Sequence, residues 1–465
     1  MIVAREFAGR RIAVLGLART GRAAARALAA GGALVVAWDD NAAVREAVAE
    51  EFRLEDPAAV DWQRIAALVL SPGIPHRFPA PHAAVERARA AGAEIVGDIE
   101  LLGRAQPHAT FVGITGTNGK STTTALVGHI LAAVGKRAEV GGNLGTPALS
   151  LAPLGSDGIY VLECSSFQLE LITTLGFAVA LLLNITPDHL DRHGGMAGYI
   201  AAKRRIFAHR RDGATAIVGI DDAISRDIAS ALRREDWTRV VPVSVRAAAP
   251  GGVYVDRRGR LIDATGNAPV AVMPLAEAER LPGPHNWQNA AAAYAAARAL
   301  GVSAEAAARA IRTFPGLAHR QELVATLGGV RFVNDSKATN ADAADKALAC
   351  YEAIYWIAGG LPKPGGIASL GPHFGRLRHA FLIGAATEEF AATLADTVPF
   401  TRCGDLATAV ARAAEAAQRD AVPGAVVLLS PACASYDQFA DFEARGEAFR
   451  ALVRELAAAP REQPR

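Results

Sequence analysis

The segment 111–124 reads FVGITGTNGKSTTT and carries the residue types that bind phosphate. A predicted strand leads into a glycine loop, and a helix is expected to begin near Lys120. Gly116 and Gly119 allow backbone N–H groups to close around phosphate oxygens. Lys120 can reach the β and γ phosphates, and Ser121 can place its hydroxyl on Mg²⁺. The segment therefore predicts ATP or GTP binding.

This loop departs from the usual pattern at one position. The pattern G-x-x-x-x-G-K-[ST] needs a glycine at position 114, where this chain has Ile114. A tight turn with a surface lysine is the alternative interpretation. The order of strand, glycines, Lys-Ser and helix favours nucleotide binding, although the loop alone does not fix the reaction.

Polar side chains follow the next two predicted strands. Glu163 ends one of them, where ligands bind in open α/β sheets, and a carboxylate there can hold Mg²⁺. A structural salt bridge is the alternative for this residue. The strand at 179–183 runs into NITPDHLDRHG, where we expect His189 or Asp188 to contact a metal or a phosphate. Lys203 follows in a helical run and, taken alone, is a solvated lysine.

The elements that must position these residues form a regular alternation. Strand-like runs alternate with alanine-rich helical runs, which predicts α/β domains with parallel or mostly parallel sheets. Breaks at 103–108 and 313–316 divide the chain. The segment 241–274 is richer in Gly, Pro and β-branched residues and predicts an irregular or small antiparallel insertion in the middle piece. The breaks predict three domains: 1–108, 109–315 and 316–465.

Composition limits the class of protein. The 465 residues are 51% hydrophobic and carry a net charge of +2, so no strong basic field argues for nucleic acid. A basic run at 203–205 and 210–211 could serve a polyanionic small molecule. Four scattered cysteines show neither zinc nor disulfide spacing. The N-terminus lacks a secretory signal, and no apolar stretch is long enough to span a membrane, so we expect a cytoplasmic protein.

Taken together, these motifs resemble the Mur ligases, which add amino acids to the peptidoglycan precursor. The similarity extends over almost the whole chain, and the order and spacing of the motifs are highly specific. The matched motifs are GTNGKST (116–122), GGNLG (141–145), ECSSFQLE (163–170), NITPDHLDRH (184–193), Lys203, HNWQNAAAA (285–293), AHRQE (318–322), NDSKATN (334–340) and SPACASYDQF-x-x-FExRG (430–446).

The resemblance implies a nucleotide site and a metal site. It implies that Lys120, Glu163, His189 and Lys203 are catalytic and that Lys203 is carbamylated, which turns a cation into an anionic ligand suited to Mg²⁺. It implies ATP contacts from Gly116, Thr117, Asn118, Gly119, Lys120, Ser121, Thr122, Asn289, Arg320 and Asp335. It implies ligands for two Mg²⁺ ions from Ser121, Glu163, His189 and Lys203.

The resemblance also implies where the substrates bind. The first domain looks Rossmann-like, but its Gly16-x-x-x-x-Gly21 spacing is not the dinucleotide pattern, and in the family this domain holds the UDP end. Contacts to the UDP-sugar are implied for Arg19, Thr20, Asp39, Gly73, Asn143 and Ser165. The last domain matches the branch that adds D-glutamate, with contacts from Lys337, Thr339, Lys363, Ser435 and Phe442. Lys363 lies between Pro362 and Pro364, a departure from the expected open loop.

The resemblance thus implies an ATP-dependent amide ligase that adds D-glutamate to UDP-N-acetylmuramoyl-L-alanine through an acyl-phosphate. We expect the protein to be a monomer. Three alternatives stay open at this point. Another Mur ligase or a folylpolyglutamate synthetase-like enzyme would keep the phosphate loop. A nucleotide-binding regulatory protein without activity is disfavoured by the set of Glu163, His189 and Lys203. A nicotinamide oxidoreductase is disfavoured by the glycine spacing of the first domain.

Overall fold

The computed structural model describes residues 1–143, 145–235, 237, 239–363 and 365–458. Pro364, expected to stiffen the loop around Lys363, and Leu144 of the GGNLG motif lie outside the described residues. The chain forms two compact units. The first takes in Met1–Ala278 and Pro284–Phe314, and the second takes in Glu279–Gly283 and the chain from Pro315 onwards. The boundaries of three separate domains stay a prediction.

The first unit begins with a four-stranded parallel sheet in the order β2-β1-β3-β4. Its strands are runs of β-branched and aliphatic residues, and alanine-rich helices lie between them. The strands are β1 (Arg11–Leu15), β2 (Leu34–Trp38), β3 (Ile65–Leu70) and β4 (Glu94–Val96). The helices are α1 (Arg19–Ala30), α2 (Ala42–Glu46), α3 (Ala83–Ala90) and α4 (Asp98–Ala105), with a 3₁₀ turn at Trp62–Arg64.

The same unit contains a nine-stranded sheet in the order β13-β12-β11-β10-β9-β8-β5-β7-β6. Its strands are β5 (Thr110–Thr115), β6 (Ala138–Gly142), β7 (Ile159–Glu163), β8 (Val179–Leu182), β9 (Thr215–Gly219), β10 (Arg239–Ser244), β11 (Val253–Val255), β12 (Arg260–Asp263) and β13 (Val270–Pro274). Its helices are α5 (Lys120–Ala133), α6 (Ser166–Glu170), α7 (Leu190–His193), α8 (Met196–Arg204), α9 (Ala223–Arg234), α10 (Pro284–Ala299) and α11 (Ala304–Arg312), with 3₁₀ turns at Ala148–Ser150, Arg205–Phe207 and Leu275–Glu277. The pairs from β6 to β11 are parallel, and those from β11 to β13 are antiparallel.

The second unit is built on a six-stranded sheet in the order β14-β15-β19-β16-β17-β18, in which only the β14–β15 pair of the described strands is antiparallel. Its strands are β14 (Glu322–Leu327), β15 (Val330–Asn334), β16 (Ile354–Gly359), β17 (Leu377–Ile383), β18 (Phe400–Gly404) and β19 (Val426–Leu429). Its helices are α12 (Ala341–Leu348), α13 (Thr387–Leu394), α14 (Leu406–Asp420) and α15 (Phe442–Ala458), with a 3₁₀ helix at Ala368–Arg376. Separate apolar clusters cover the two sheet faces: Tyr355 belongs to one and its neighbour Trp356 to the other, as strand alternation requires.

The predicted α/β fold class with mostly parallel sheets is confirmed. The segment predicted as an irregular or small antiparallel insertion contains the antiparallel strands β11 to β13, and β10 to β13 extend the central sheet at one edge. Gly103, expected at a break, lies inside α4 instead. A Cβ atom there would lie 2.9 Å from the side chain of Leu175, so this glycine allows a helix to approach its neighbour closely. In the described part of the chain, no helix is long and apolar enough to cross a membrane.

Candidate active site

The phosphate loop lies between β5 and the N-terminus of α5, as the sequence predicted. Gly119 caps the helix with φ +85, a left-handed conformation that favours glycine. A Cβ atom at Gly119 would lie 2.1 Å from Asn289 Oδ1. Asn289 comes from α10 and accepts a hydrogen bond from Thr123 Oγ1 at 3.3 Å. This asparagine, predicted to contact ATP, therefore lies directly against the loop.

Two lysines meet at the carbonyl oxygen of Gly116. Lys120 Nζ donates to Gly116 O at 2.9 Å and to Thr117 O at 2.7 Å. Lys203 Nζ donates to the same Gly116 O at 2.7 Å. The Lys120 cation, beside the positive end of a helix, is suited to binding an anion.

Lys203 is buried at 2% exposed, so it is not the solvated lysine that its position on a helix suggested. Burial, with the Lys120 cation close by, holds the pKa of Lys203 well below its usual value. The carboxylates of Asp188 and Glu163 act in the opposite direction. Its Nζ also lies 4.6 Å from the centre of the Tyr199 ring. The environment favours a neutral amine.

Glu163 ends β7 and is 2% exposed. Its Oε1 accepts a hydrogen bond from Asn143 Nδ2 at 2.7 Å. Its Oε2 is buried and has no hydrogen-bond partner among the described residues. An orphaned carboxylate oxygen is costly unless a ligand uses it, so Glu163 fits a cation contact better than the alternative of a structural salt bridge.

Glu163 and Lys203 fit a magnesium site in which a modified lysine supplies one of the ligands. No group of three or more His, Cys, Asp or Glu side chains in the described ranges could hold a metal by itself. The orphaned Glu163 oxygen and the buried Lys203 amine are suited to such a site if the lysine carries a carboxylate. Ser121, in the first turn of α5, is 8% exposed.

The two histidines of the NITPDHLDRH segment differ in environment. The His189 side chain is 52% exposed, and its Nε2 lies 3.4 Å from Asp188 Oδ2. The backbone of His189 has φ +50. Its contacts within the described residues include the Phe167 ring, and none joins it to Glu163 or Lys203. His193 is buried, and its Nε2 lies 2.9 Å from Ser166 Oγ, which assigns it to the packing of the segment.

Ser165 caps α6 and belongs to a buried chain of hydrogen bonds. Its N–H and hydroxyl each lie 3.1 Å from Gln168 Oε1. Gln168 Nε2 in turn donates to both oxygens of Asp98, at 3.2 and 3.1 Å. Burial raises the pKa of Asp98 to about 6. A side chain of α4 thus orients a residue that the sequence predicted to contact the UDP-sugar.

The predicted UDP-side residues lie around the β1–α1 turn. Arg19 and Thr20 begin α1, and the Arg19 guanidinium donates to Gly145 O. The Asp39 carboxylate accepts from Leu17 N at 2.6 Å and therefore ties β2 to that turn. The carbonyl oxygen of Gly73 accepts from Arg192 Nη1 at 2.8 Å.

Three loops of the second unit carry the predicted amino-acid contacts. Lys337 Nζ lies 3.7 Å from the centre of the Phe442 ring, a cation–π contact. Thr339 N donates to Lys337 O at 2.8 Å. Ser435 is 2% exposed, whereas Lys363 is exposed. Lys337 and Phe442 are therefore in contact, although they are far apart in the sequence.

The two ATP contacts predicted in this unit, Arg320 and Asp335, are also neighbours. Arg320 lies between His319 and Gln321, which both have positive φ values, 59 and 45. Asp335 accepts from Gln321 N at 3.1 Å and from Ser430 Oγ at 2.8 Å. Burial raises the pKa of Asp335 to about 7 despite these bonds. Its carboxylate already fixes the backbone beside Arg320.

Sequence reasoning missed several residues that hold these loops. Asn184 Oδ1 accepts a hydrogen bond from Asn118 N at 2.9 Å. Asn184 Nδ2 donates to Gln288 Oε1 at 3.4 Å. The sequence implies no role for Arg445 of the FExRG motif, yet it is buried beside the amino-acid loops. The sequence signal for the two amide residues was their place in the polar clusters NIT (184–186) and HNWQN (285–289), which lie at the ends of elements.

Comparisons with known proteins agree over nearly the whole chain. The family models "Mur ligase middle domain" and "Mur ligase, glutamate ligase domain" match residues 114–297 and 319–433. UDP-N-acetylmuramoylalanine--D-glutamate ligase of Rhodospirillum rubrum is 57% identical over 459 residues, covering 97% of this chain and 96% of the relative. The protein of the same name from Phenylobacterium zucineum is 55% identical over 464 residues, covering 98% of each.

The fold is also similar to that of a solved structure with much lower sequence identity. The crystal structure of UDP-N-acetylmuramate-alanine ligase from Thermotoga maritima has a TM-score of 0.58 at 17% sequence identity. The match covers 97% of this chain and 100% of that one. At this identity the likeness concerns the arrangement of the backbone alone.

Proposed function

The chain belongs to the Mur ligase family, and on that premise we propose that it adds D-glutamate to UDP-N-acetylmuramoyl-L-alanine at the expense of ATP. It is an ATP-dependent amide ligase of peptidoglycan precursor synthesis, a role supported by full-length relatives of that name at 50–57% identity. The observation in the structure that carries the proposal is the meeting of Lys120 and Lys203 at Gly116 O, beside the orphaned Glu163 oxygen.

In the proposed reaction, the terminal carboxylate of the alanyl group attacks the γ-phosphorus of ATP and ADP leaves. The amine of D-glutamate, after losing a proton, attacks the acyl carbon of the resulting acyl-phosphate. The tetrahedral intermediate then expels phosphate and leaves the amide. Lys120 and the N–H groups at the start of α5 neutralise the charge on the transferring phosphoryl group.

We propose that Mg²⁺ is held by Ser121, Glu163, His189 and carbamylated Lys203. When bound, the metal shields the repulsion between the phosphates and the attacking carboxylate. A buried neutral amine is the form that reacts with CO₂: its nitrogen attacks the carbon, a proton leaves, and the anionic carbamate remains. Asn143 orients Glu163 through the hydrogen bond to Oε1.

The substrate assignments are proposed from the same residues. Arg19, Thr20, Asp39 and Gly73 bind the UDP end, and Asn143 and Ser165 bind the muramoyl-alanine part. Lys337, Thr339, Lys363, Ser435 and Phe442 bind D-glutamate, whose two carboxylates require cations and hydroxyl donors. Asn289, Arg320 and Asp335 complete the contacts to ATP. We further propose a cytoplasmic monomer that acts only on small molecules.

The assay is phosphate release from ATP with UDP-N-acetylmuramoyl-L-alanine and a panel of amino acids. We expect release that depends on D-glutamate, because the second unit offers two lysines for a dicarboxylic substrate. L-glutamate and D-alanine are the matched controls for chirality and for the second carboxylate. Equal release with all amino acids would refute the specificity, and no release with any would refute the enzyme.

A further inference from the structure

Arg445 is one of the largest fully buried side chains of the described chain, at 1% exposed. It lies in the first turn of α15, and its guanidinium donates four hydrogen bonds. Nε donates to Ser336 Oγ at 3.0 Å, and Nη2 donates to the carbonyl oxygens of Ser336 and Cys433 at 2.9 and 3.1 Å. Nη1 donates to Ala434 O at 3.3 Å. Every one of these acceptors is neutral.

The acceptors lie on the loops that carry the proposed D-glutamate contacts. Ser336 immediately precedes Lys337, and Ala434 immediately precedes Ser435. A third loop joins them, because Leu361 N donates to Ala434 O at 2.9 Å and Ala434 N donates to Leu361 O at 3.2 Å. This third loop carries the other proposed lysine. One guanidinium therefore lies where all three loops meet.

The approach of the third loop is so close that it requires glycine. Gly360 has φ +130, and a Cβ atom there would lie 2.3 Å from Ala434 O and 3.1 Å from Arg445 Nη1. Ser336 Oγ also donates to Phe442 O at 2.8 Å, which ties the first loop to the start of α15. The glycine and the serine hydroxyl thus allow the loops to pack closely around the guanidinium.

In the described part of the chain, no carboxylate forms a direct hydrogen bond or ion pair with the Arg445 guanidinium. None of its four hydrogen bonds goes to a carboxylate, and the side chains of Cys433 and Asp437 act on it only through their charge. Burial lowers the pKa of Arg445 only to about 10, so the group is charged at neutral pH. Buried charges are normally paired, and an anion arriving at these loops would compensate this one.

We propose that Arg445 is a positioning residue for the amino-acid substrate, which holds the three loops together and supplies a buried positive charge that favours a dicarboxylate. The inference rests on the proposed function, because it takes the loops of Lys337, Lys363 and Ser435 as the D-glutamate site. It adds a residue that acts from beneath that site without contacting the substrate.

The test compares Arg445→Gln and Arg445→Lys in the phosphate-release assay, with the KM of each substrate measured separately. Arg445→Gln removes the charge and most of the donors, and we expect the KM for D-glutamate to rise about tenfold. The KM values for ATP and for the UDP-sugar should stay within about twofold of the unchanged protein. Arg445→Lys keeps the charge but cannot bridge three loops, so its KM for D-glutamate should rise only about threefold.

Val453→Ala is the matched control, because Val453 is buried on the same helix away from the three loops. It should lower the melting temperature without raising the KM for D-glutamate. If Arg445→Gln does not fold, Arg445→Lys decides alone. A rise confined to D-glutamate supports the inference, and no rise, or equal rises for all three substrates, overturns it. If the unchanged protein shows no D-glutamate-dependent release, the proposed function fails first.

Discussion

Lys203 combines burial with a basic side chain, and the two are hard to reconcile without a reaction partner. The amine is buried and lies near a second lysine, so both desolvation and charge repulsion disfavour its protonation. The sequence alone indicated a solvated lysine, and only the resemblance gave it a role. No local pattern could have done so, since its hydrogen-bond partner is 87 positions away in the chain.

Replacing Lys203 tests the carbamate at the residue scale. Lys203→Ala should lower kcat/KM roughly a hundredfold or more, because a charged ligand group is lost from the site. Acetate or another short-chain carboxylate should restore part of the activity by entering the space and supplying the missing anion. The measurement is phosphate release with and without the added acid.

Lys136→Ala provides the control, since Lys136 is exposed beyond the end of α5 and should tolerate the change. Acetate should have no effect on that variant. Full activity of Lys203→Ala without any additive would rule out the carbamate role, and failure of every acid to restore activity would remove its simplest support.

At the element scale, helix α5 joins the phosphate loop to the rest of the first unit. Its start near Lys120 was predictable from the order of strand, glycines and Lys-Ser, because these residues are adjacent in the sequence. The contact with Asn289 was not predictable from spacing, since Thr123 and Asn289 are 166 positions apart. Local patterns therefore located the loop, and tertiary packing determined what supports it.

Two glycines that flank this helix offer a matched experiment on ATP binding. Gly119 and Gly135 both have positive φ, but a Cβ atom would meet Asn289 at Gly119 and nothing within 4 Å at Gly135. Both alanine variants should lose about 1 kcal/mol from backbone strain. Only Gly119→Ala should also raise the KM for ATP, by about tenfold or more, because Asn289 must move.

ATP dependence of phosphate release and the melting temperature of each variant are the two measurements. The expected results are a larger drop in melting temperature for Gly119→Ala than for Gly135→Ala and a rise in the KM for ATP in Gly119→Ala alone. An equal KM for ATP in both variants would show that the contact with Asn289 does not shape the nucleotide site.

At the scale of the whole first unit, Glu100 joins the two sheets through α4. Its carboxylate accepts from the backbone N–H groups of Thr173, Thr174 and Leu175, at 3.0 to 3.1 Å. Burial acts to raise the pKa of Glu100, but these bonds and one from the Thr174 hydroxyl outweigh it and hold the pKa at about 2. The alternation of strands and helices predicted both sheets, yet it gave no sign of a buried carboxylate between them.

Glu100→Gln should lower the melting temperature at pH 7 by about 5 °C, since a charged acceptor of several hydrogen bonds becomes neutral. The pKa is lower in the folded protein than its ordinary value of 4.5, so the stabilisation is complete above pH 4.5. It declines as the pH falls towards 2. The difference between the two proteins should therefore shrink in melting curves recorded from pH 7 down to pH 3.5.

Glu94→Gln is the control for that experiment. Glu94 pairs with Arg104, as Glu100 does, but its side chain is 37% exposed. We expect a change below about 1 kcal/mol, typical of an exposed ion pair. A loss as large as that of Glu100→Gln would assign the effect to Arg104 and not to the backbone contacts.

The division of the chain into units also has a consequence for its biosynthesis. The last part of the first unit, Pro284–Phe314, follows Glu279–Gly283 in the sequence, and Glu279–Gly283 belongs to the second unit. Asn289 leaves the ribosome 166 residues after Thr123, roughly 10–30 s later at ordinary rates of translation. Until then the nascent phosphate loop lacks its neighbour from α10, and the apolar faces that this helix covers stay open. The surroundings of the phosphate loop are therefore complete only after α10, which ends at Ala299, has left the ribosome.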